Sequence, residues 1–267
     1  MKVIPILLAL FFLFLSVPSF AEVKGENVEY TYEGTTLKGY LAYDDSIKGK
    51  RPGVLVVHEW WGLNDYAKKR ADMLAKLGYT ALAIDMYGDG KTADHPEDAQ
   101  KFMSETLSNM PMAEGRFNAG LAFLKKQPTV DPDKIAAIGY CFGGGVVIHM
   151  AQTGADLDGV ASFHGSLAIQ AKPEPGTVKA KILVMTGGDD PFVPAEQVDE
   201  FKKAMDAAGA DYEVIIYPGV THSFTNPDAD EFGKKFDMPL AYNAEADKQS
   251  WAEMEKLLKE IFNQNGG

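Results

Sequence analysis

The sequence is poor in cysteine: Cys141 stands alone among 267 residues. That excludes a disulfide within the chain and any multi-cysteine metal or redox centre. One thiol then has three readings: a buried filler, an intermolecular link or a functional group. Histidine is also sparse, at five residues, and no pair has the spacing of a zinc site, so neither a metal nor another cofactor is expected. Basic residues are outnumbered, 26 Lys and Arg against 38 Asp and Glu, for a formal net charge of −12. So acidic a surface argues against nucleic acid or an anionic membrane as partner and is neutral toward a small molecule. Internal repeats and low-complexity linkers are absent. A chain that is 46% hydrophobic and 24% charged is composed like a globular protein with one substantial core.

Only one long apolar run exists. Lys2 precedes an uncharged stretch over residues 6–15, and Ser19-Phe20-Ala21 supplies the small residues that a signal peptidase reads. The run is short beside the about 20 residues of a membrane span. Residues 1–21 are therefore expected to be a cleaved secretory signal peptide. The mature chain is then periplasmic or secreted, with no membrane association, and forms one domain over residues 22–267. Cleavage removes one lysine and no acid, leaving 25 basic against 38 acidic residues. The expected assembly is a monomer or small homo-oligomer.

Hydrophobic patterning supplies the architecture. Alternating segments at 28–32 and 36–43, split by Glu33-Gly34, read as an antiparallel hairpin. Short continuous apolar runs at 54–58, 80–85, 135–139, 159–163, 181–186 and 212–217 read as buried strands. Helical periodicity falls between them. One helix is capped by Asn64, with Tyr66, Arg70, Met73, Leu74 and Leu77 on a shared face. Two more lie within 94–126 and break near Pro111. Further helices span 143–152, 194–208 and the stretch after Ala244, where Trp251, Met254, Leu258 and Ile261 share a face. Alternating strands and helices imply an α/β fold: a mostly parallel central sheet with helices on both faces. Active sites in such sheets lie at the carboxyl ends of the strands.

The lone cysteine sits at such an end, in Ile138-Gly139-Tyr140-Cys141-Phe142-Gly143-Gly144-Gly145. A G-x-C-x-G core between strand and helix has the form of a nucleophile elbow with cysteine in place of serine. The turn is too tight for side chains two positions either side of the nucleophile. The nucleophile is strained so that its side chain stands clear. The positive end of the following helix favours a thiolate, and the Phe142 N–H points toward a developing oxyanion. This local pattern turns Cys141 from a presumed filler into the candidate nucleophile.

An elbow needs a base and an acid, in the chain order nucleophile, acid, base. His222 is the only histidine after the two central strands, in a loop behind 212–217, where the base belongs. The acid should follow 181–186, and Gly187-Gly188-Asp189-Asp190-Pro191 offers two carboxylates. Physical reasoning does not choose between Asp189 and Asp190; the other is a loop or cap residue. His149 reads as a packed helix residue, His95 as a helix start, and His164 as a strand end bordering the site.

Together these residues resemble the dienelactone hydrolase family, over nearly the whole mature chain. The resemblance rests on His58-Glu59-Trp60-Trp61-Gly62-Leu63-Asn64, Asp85-Met86-Tyr87, Gly139-Tyr140-Cys141-Phe142-Gly143-Gly144, Gly187-Gly188-Asp189-Asp190-Pro191-Phe192-Val193-Pro194 and His222-Ser223-Phe224. It implies the α/β-hydrolase fold and an esterase or lactonase acting on small molecules. It implies a triad of Cys141, Asp190 and His222, the acid being the second of the Asp-Asp pair. Glu59 would be the glutamate that holds the resting cysteine as a thiol, and the Trp60 N–H would join Phe142 in the oxyanion hole. Trp61, Tyr87, His164 and Phe224, with Asp189, are expected to shape the pocket.

One departure matters. The best-known members grip a substrate carboxylate with two arginines, one after the strand-end tyrosine and one after the catalytic histidine. Here those regions read Tyr87-Gly88-Asp89-Gly90-Lys91 and His222-Ser223-Phe224-Thr225-Asn226, without arginine. Asp89 would repel a carboxylate, and Lys91 is the only nearby substitute. Two other functional classes fit the same sequence: a catalytically weak binding protein on this fold, and a thiol-redox protein. The second lacks a resolving cysteine.

Overall fold

The structure, a computed structural model, describes residues 23–168 and 171–264. The expected signal peptide, residues 1–21, lies outside them. Strands β1 (Val23–Tyr32) and β2 (Thr35–Asp44) pair antiparallel across a two-residue turn. Glu33 and Gly34 both take positive φ there, 46° and 81°, the twist that a tight hairpin needs. The other strands are β3 (Arg51–Val57), β4 (Thr80–Ile84), β5 (Val130–Tyr140), β6 (Gly159–Phe163), β7 (Lys181–Gly187) and β8 (Tyr212–Tyr217). All eight form one sheet in the order β1-β2-β4-β3-β5-β6-β7-β8. Every pairing from β4 to β8 is parallel.

Side-chain alternation on the buried strands makes two cores. On β3, Leu55 and Val57 face one layer, with Phe117, Val147 and Phe201. These come from helices α3 (Met110–Lys125), α4 (Phe142–Gln152) and α5 (Ala195–Ala208). Val54 and Val56 face the other, with Leu74 of α1 (Asp65–Lys76) and Met254 and Leu258 of α7 (Ala244–Gln264). Continuous apolar strands between two helical layers are thus what the sequence pattern required.

Three details differ from the expected pattern. The buried stripe of α1 is Tyr66, Ala67, Arg70, Ala71, Leu74 and Ala75, while Leu77 at its C-cap is 41% exposed. Small alanines let α1 sit close to the sheet, which moves the stripe off Met73 and Leu77. The break between α2 (Pro96–Leu107) and α3 lies at Ser108-Asn109. Asn109 caps α3 by accepting the Met112 N–H at 3.2 Å. Pro111 sits in the first turn of α3, where a missing N–H costs nothing. A short helix not anticipated from the sequence, α6 (Ala229–Phe236), follows β8.

The strand order fixes the site. From β3 the chain moves outward to β4, then crosses back to β5 on the other flank of β3. The loops leaving β3 and β5 diverge there, opening a crevice at the topological switch point. Val57 pairs with Gly139 in that register, so residues 58–61 and Cys141 meet at one edge.

Candidate active site

Cys141 occupies the junction between β5 and α4 with φ 52° and ψ −114°. A non-glycine residue held there carries about 1–3 kcal/mol of strain that its surroundings must offset. Two backbone bonds supply part of that constraint: Cys141 N–H to Phe163 O at 3.0 Å and Gly143 N–H to His58 O at 3.1 Å. The flanking glycines are steric necessities. A Cβ on Gly139 would run into the Gly143 carbonyl, and one on Gly143 into the Val57 carbonyl. The thiol therefore stands at the N-terminus of α4, half-buried rather than sealed.

His222 lies beyond β8 and is buried. Its Nδ1 bonds Asp190 Oδ2 at 2.7 Å, and Asp190 Oδ1 accepts the Phe192 N–H at 2.8 Å. Both carboxylate oxygens are thus engaged, and the Asp190 side chain is fully enclosed. Asp189 is exposed and ties the loop through its backbone N–H, to Val220 O at 3.0 Å. The carboxylate bonded to the imidazole is Asp190. Burial disfavours the imidazolium, but the Cys141 sulfur on one side and Asp190 on the other outweigh it, and His222 is pushed up to about 10. The arrangement can pass a proton between the imidazole and the Cys141 sulfur.

The loop after β3 completes the edge. His58 is buried, with Nδ1 donating to Glu59 O at 2.5 Å and Nε2 accepting the Met86 N–H at 3.3 Å. These bonds fix the neutral tautomer and tie the loop to the end of β4. Tyr87 Oη donates to Trp60 O at 2.9 Å, which turns the Trp60 carbonyl away. Among the described residues neither the Trp60 nor the Phe142 N–H is used in a hydrogen bond. Glu59 is buried, and its oxygens accept from Ser223 Oγ at 3.3 Å and Asn226 Nδ2 at 2.6 Å. Burial pushes its pKa up, against Asn226, His222, Ser223 and Arg70. The carboxyl faces the loop behind His222.

A cleft of about 300 Å³ opens on Cys141 and His222. Its walls include Trp60, Phe142, Phe192, Met103, Met110 and Met238. Glu59, Trp61, Tyr87, His164 and Phe224, expected to border it, do not line it; they are buried in the layer beneath. Trp61 packs on Phe232 and Phe236 of α6, at 4.9 and 6.0 Å between ring centroids. Tyr87 packs on Phe102 of α2 and Phe142 of α4, and Phe224 packs on Tyr217 and His164. His164 stacks edge-on against His222 at 5.1 Å, and its Nε2 bonds Thr225 Oγ1 at 2.8 Å. Burial, then the charges of His222 and Arg70, keep His164 well below the ordinary histidine range, so it is neutral. Thr225 Oγ1 also meets Tyr66 Oη at 2.6 Å, and Arg70 bridges Thr225 O and Asp247, each at 2.6 Å. His222 thus rests on a hydrogen-bonded pillar that no sequence motif marked.

Sequence reasoning also missed the cleft walls. Met103, Leu107 and Met110 come from α2 and α3, and Met238 and Leu240 from the chain after α6. Lys91 lines a separate depression with Tyr87 and Arg116, away from Cys141. Arg116 is committed to Met86 O at 2.8 Å. Among the described residues, no lysine or arginine lines the cleft. His149 does line it, with Nε2 on Glu114 Oε1 at 2.8 Å. His95 caps α2. No group of three or more potential metal ligands occurs among the described residues.

Comparison with known proteins gives a consistent picture. The sequence profile of the dienelactone hydrolase family matches residues 37–262. The protein usf of Aquifex pyrophilus is 35% identical over 207 residues, covering 76% of this chain and 87% of its own. A protein named "Putative carboxymethylenebutenolidase" from Aquifex aeolicus is 33% identical, with the same coverage. Among solved structures, the dienelactone hydrolase-like promiscuous phosphotriesterase P91 from metagenomic libraries superposes with a TM-score of 0.85 at 36% identity. That match covers 90% of this chain and 98% of P91.

Proposed function

The chain belongs to the dienelactone hydrolase family, and on that premise we propose that it is a cysteine-dependent hydrolase of ester or lactone bonds, with Cys141, His222 and Asp190 as its triad. One observation carries the reading: His222 stands between the enclosed Asp190 and the Cys141 sulfur, at the mouth of a cleft. The Cys141 thiolate attacks the carbonyl carbon. The N–H groups of Trp60 and Phe142 hold the oxyanion. As the tetrahedral adduct collapses, the C–O bond breaks and the His222 imidazolium gives its proton to the leaving alkoxide. Acylation removes the sulfur's charge, the largest influence raising His222. The imidazole is then a neutral base, able to take a proton from water as it attacks the thioester. Collapse of the second adduct returns the thiolate and the imidazolium. Asp190 keeps Nδ1 protonated throughout and Nε2 turned to the sulfur.

A cleft lined by no lysine or arginine among the described residues favours a small neutral ester or lactone over an anionic one. We read Glu59, bonded to Ser223 and Asn226 in the loop behind His222, as the regulator of the resting cysteine. We also propose, from residues 1–21, that the enzyme works outside the cytoplasm; N-terminal sequencing that finds an exported form beginning at Glu22 would support this, and a cell-retained form with Met1 intact would oppose it. The function is tested with p-nitrophenyl acetate before and after alkylation by iodoacetamide, and with Cys141→Ala. Turnover lost in both supports the reading. Turnover that survives both overturns the cysteine mechanism, and no turnover of any short ester or lactone by the wild type favours a binding protein.

A further inference from the structure

Resting on the reading of Cys141 as nucleophile, we propose that the cleft is an acyl-chain groove laid along α4, which takes esters of neutral, unbranched acids of up to about eight carbons and whose width is set by Gly145.

Cys141, Gly145 and His149 are spaced four apart, so they share one face of α4, and all three line the cleft. The rise of about 1.5 Å per residue puts His149 about 12 Å from Cys141, the span of a zigzag chain of about eight carbons at ~1.3 Å each once the thioester is allowed for. Gly145 lies midway. It differs from the glycines beside it. Side chains on Gly139, Gly143 and Gly144 would collide with neighbouring atoms, whereas a Cβ on Gly145 meets nothing nearer than Ser166 O at 3.4 Å. Packing does not demand glycine there, and glycine within a helix is about 0.5–1 kcal/mol less stable than alanine. Its absent side chain leaves an open trough between nucleophile and His149.

The walls suit an alkyl chain. Met103, Leu107 and Met110 from α2 and α3 line it together with Met238 and Leu240 from the segment after α6, and methionine adapts its shape to what it covers. His149, buried and held by Glu114, closes the far end. With no lysine or arginine along the groove among the described residues, and His149 already taken by Glu114, a terminal carboxylate would enter without a lysine or arginine partner, which is unfavourable. The chain in the groove is the acyl part because it stays bonded to Sγ while the alcohol departs.

The test compares kcat/KM for p-nitrophenyl acetate, butyrate, hexanoate and octanoate, and for mono-p-nitrophenyl suberate, which ends in a carboxylate. An alkyl acetate series with lengthening alcohols is run beside it. The expected wild-type octanoate-to-acetate ratio is at least ten, with suberate at least tenfold below octanoate and little trend along the alcohol series. Gly145→Leu lowers the octanoate-to-acetate ratio at least tenfold, and Gly145→Ala less. If Gly145→Leu does not fold, Met238→Trp narrows the groove from the segment after α6 with the same expected result. A flat acyl series, a ratio untouched by narrowing, equal use of suberate, or a dependence on the alcohol instead overturns the groove. Failure of the nucleophile reading shows separately, as acetate turnover retained by Cys141→Ala.

Discussion

Asp190→Asn isolates the orienting role of the acid with little change in volume. In the wild type, Oδ1 accepts the Phe192 N–H and Oδ2 meets His222 Nδ1 at 2.7 Å. The amide oxygen of Asn keeps the Phe192 bond, so its NH2 group faces Nδ1. Two donors cannot share that distance. The imidazole must move its proton to Nε2, the nitrogen that serves the thiol, and the base is lost. Raising His222 from 6.5 to about 10 corresponds to about 5 kcal/mol of preference for imidazolium. The Cys141 sulfur and Asp190 share that preference, and the variant forfeits the second share and gains a wrong tautomer. The expected loss in kcat for p-nitrophenyl acetate is about 10³–10⁴-fold, or about 4–5.5 kcal/mol, with a smaller change in KM. Stability supplies an independent readout. A histidine whose folded pKa is raised stabilises the fold fully below its unfolded value near 6.5, and that stability is lost as pH climbs toward about 10. The variant lacks part of it, so the melting-temperature gap between wild type and variant should narrow from pH 6.5 to pH 10. A kcat within tenfold of wild type, or a gap that widens over that window, refutes the assignment of Asp190.

Glu59→Gln tests the buried carboxyl. Its folded pKa is raised by burial, so the fold is favoured while Glu59 is protonated and loses that advantage as pH rises past the ordinary carboxylate value. The variant should gain on wild type between pH 5 and pH 8, by about 1 kcal/mol per pKa unit of the perturbation, measured by denaturant melts; a constant difference would contradict this. His58→Leu removes the bond from Met86 N–H that ties the loop after β3 to the end of β4, and the bond to Glu59 O inside that loop. It should destabilise by about 1–3 kcal/mol and lower kcat about 10- to 100-fold, whereas unaltered kinetics in a folded variant would show that the loop needs no tether. Replacing the nucleophile by Cys141→Ser should leave the melting temperature within a few degrees and reduce turnover by more than a hundredfold, since a hydroxyl lacks the thiol's acidity. Wild-type rates in that variant would remove sulfur from the mechanism.

The elbow was legible because its sterics are local. Gly139, Cys141 and Gly143 lie within five residues; the clash that demands glycine at 139 arises inside that segment, against the Gly143 carbonyl, and the one at 143 against Val57 of the strand beside it. The strands were legible for a related reason: a sheet covered on both faces needs uninterrupted apolar runs. The choice between Asp189 and Asp190 was not a local matter. It depends on how the chain leaves β7 relative to β8, and the bond from Asp189 N–H to Val220 O fixes that exit so that the second carboxylate turns inward. The resemblance to known sequences carried that choice, which local physics had left open. The cleft was least legible of all. Its walls come from α2, α3, α4 and the segment after α6, brought together only by the fold. The aromatics that looked like pocket residues stand at strand ends, where α6 uses Trp61 as its docking surface through Phe232 and Phe236. Helix α6 itself carries just those two aromatics on its apolar side, too few to set a period, and its Gly233 is needed because a Cβ would strike the Leu240 backbone. That close contact brings Met238 and Leu240 over the cleft. The family's chemistry is therefore written at the strand ends, in short motifs, whereas selectivity is written in the helices above them. Arginines absent from two motifs show which substrates lose their anchor. On the proposed reading, the methionine walls and the bare stretch of α4 at Gly145 take their place with shape and apolar contact, instead of a charge pair.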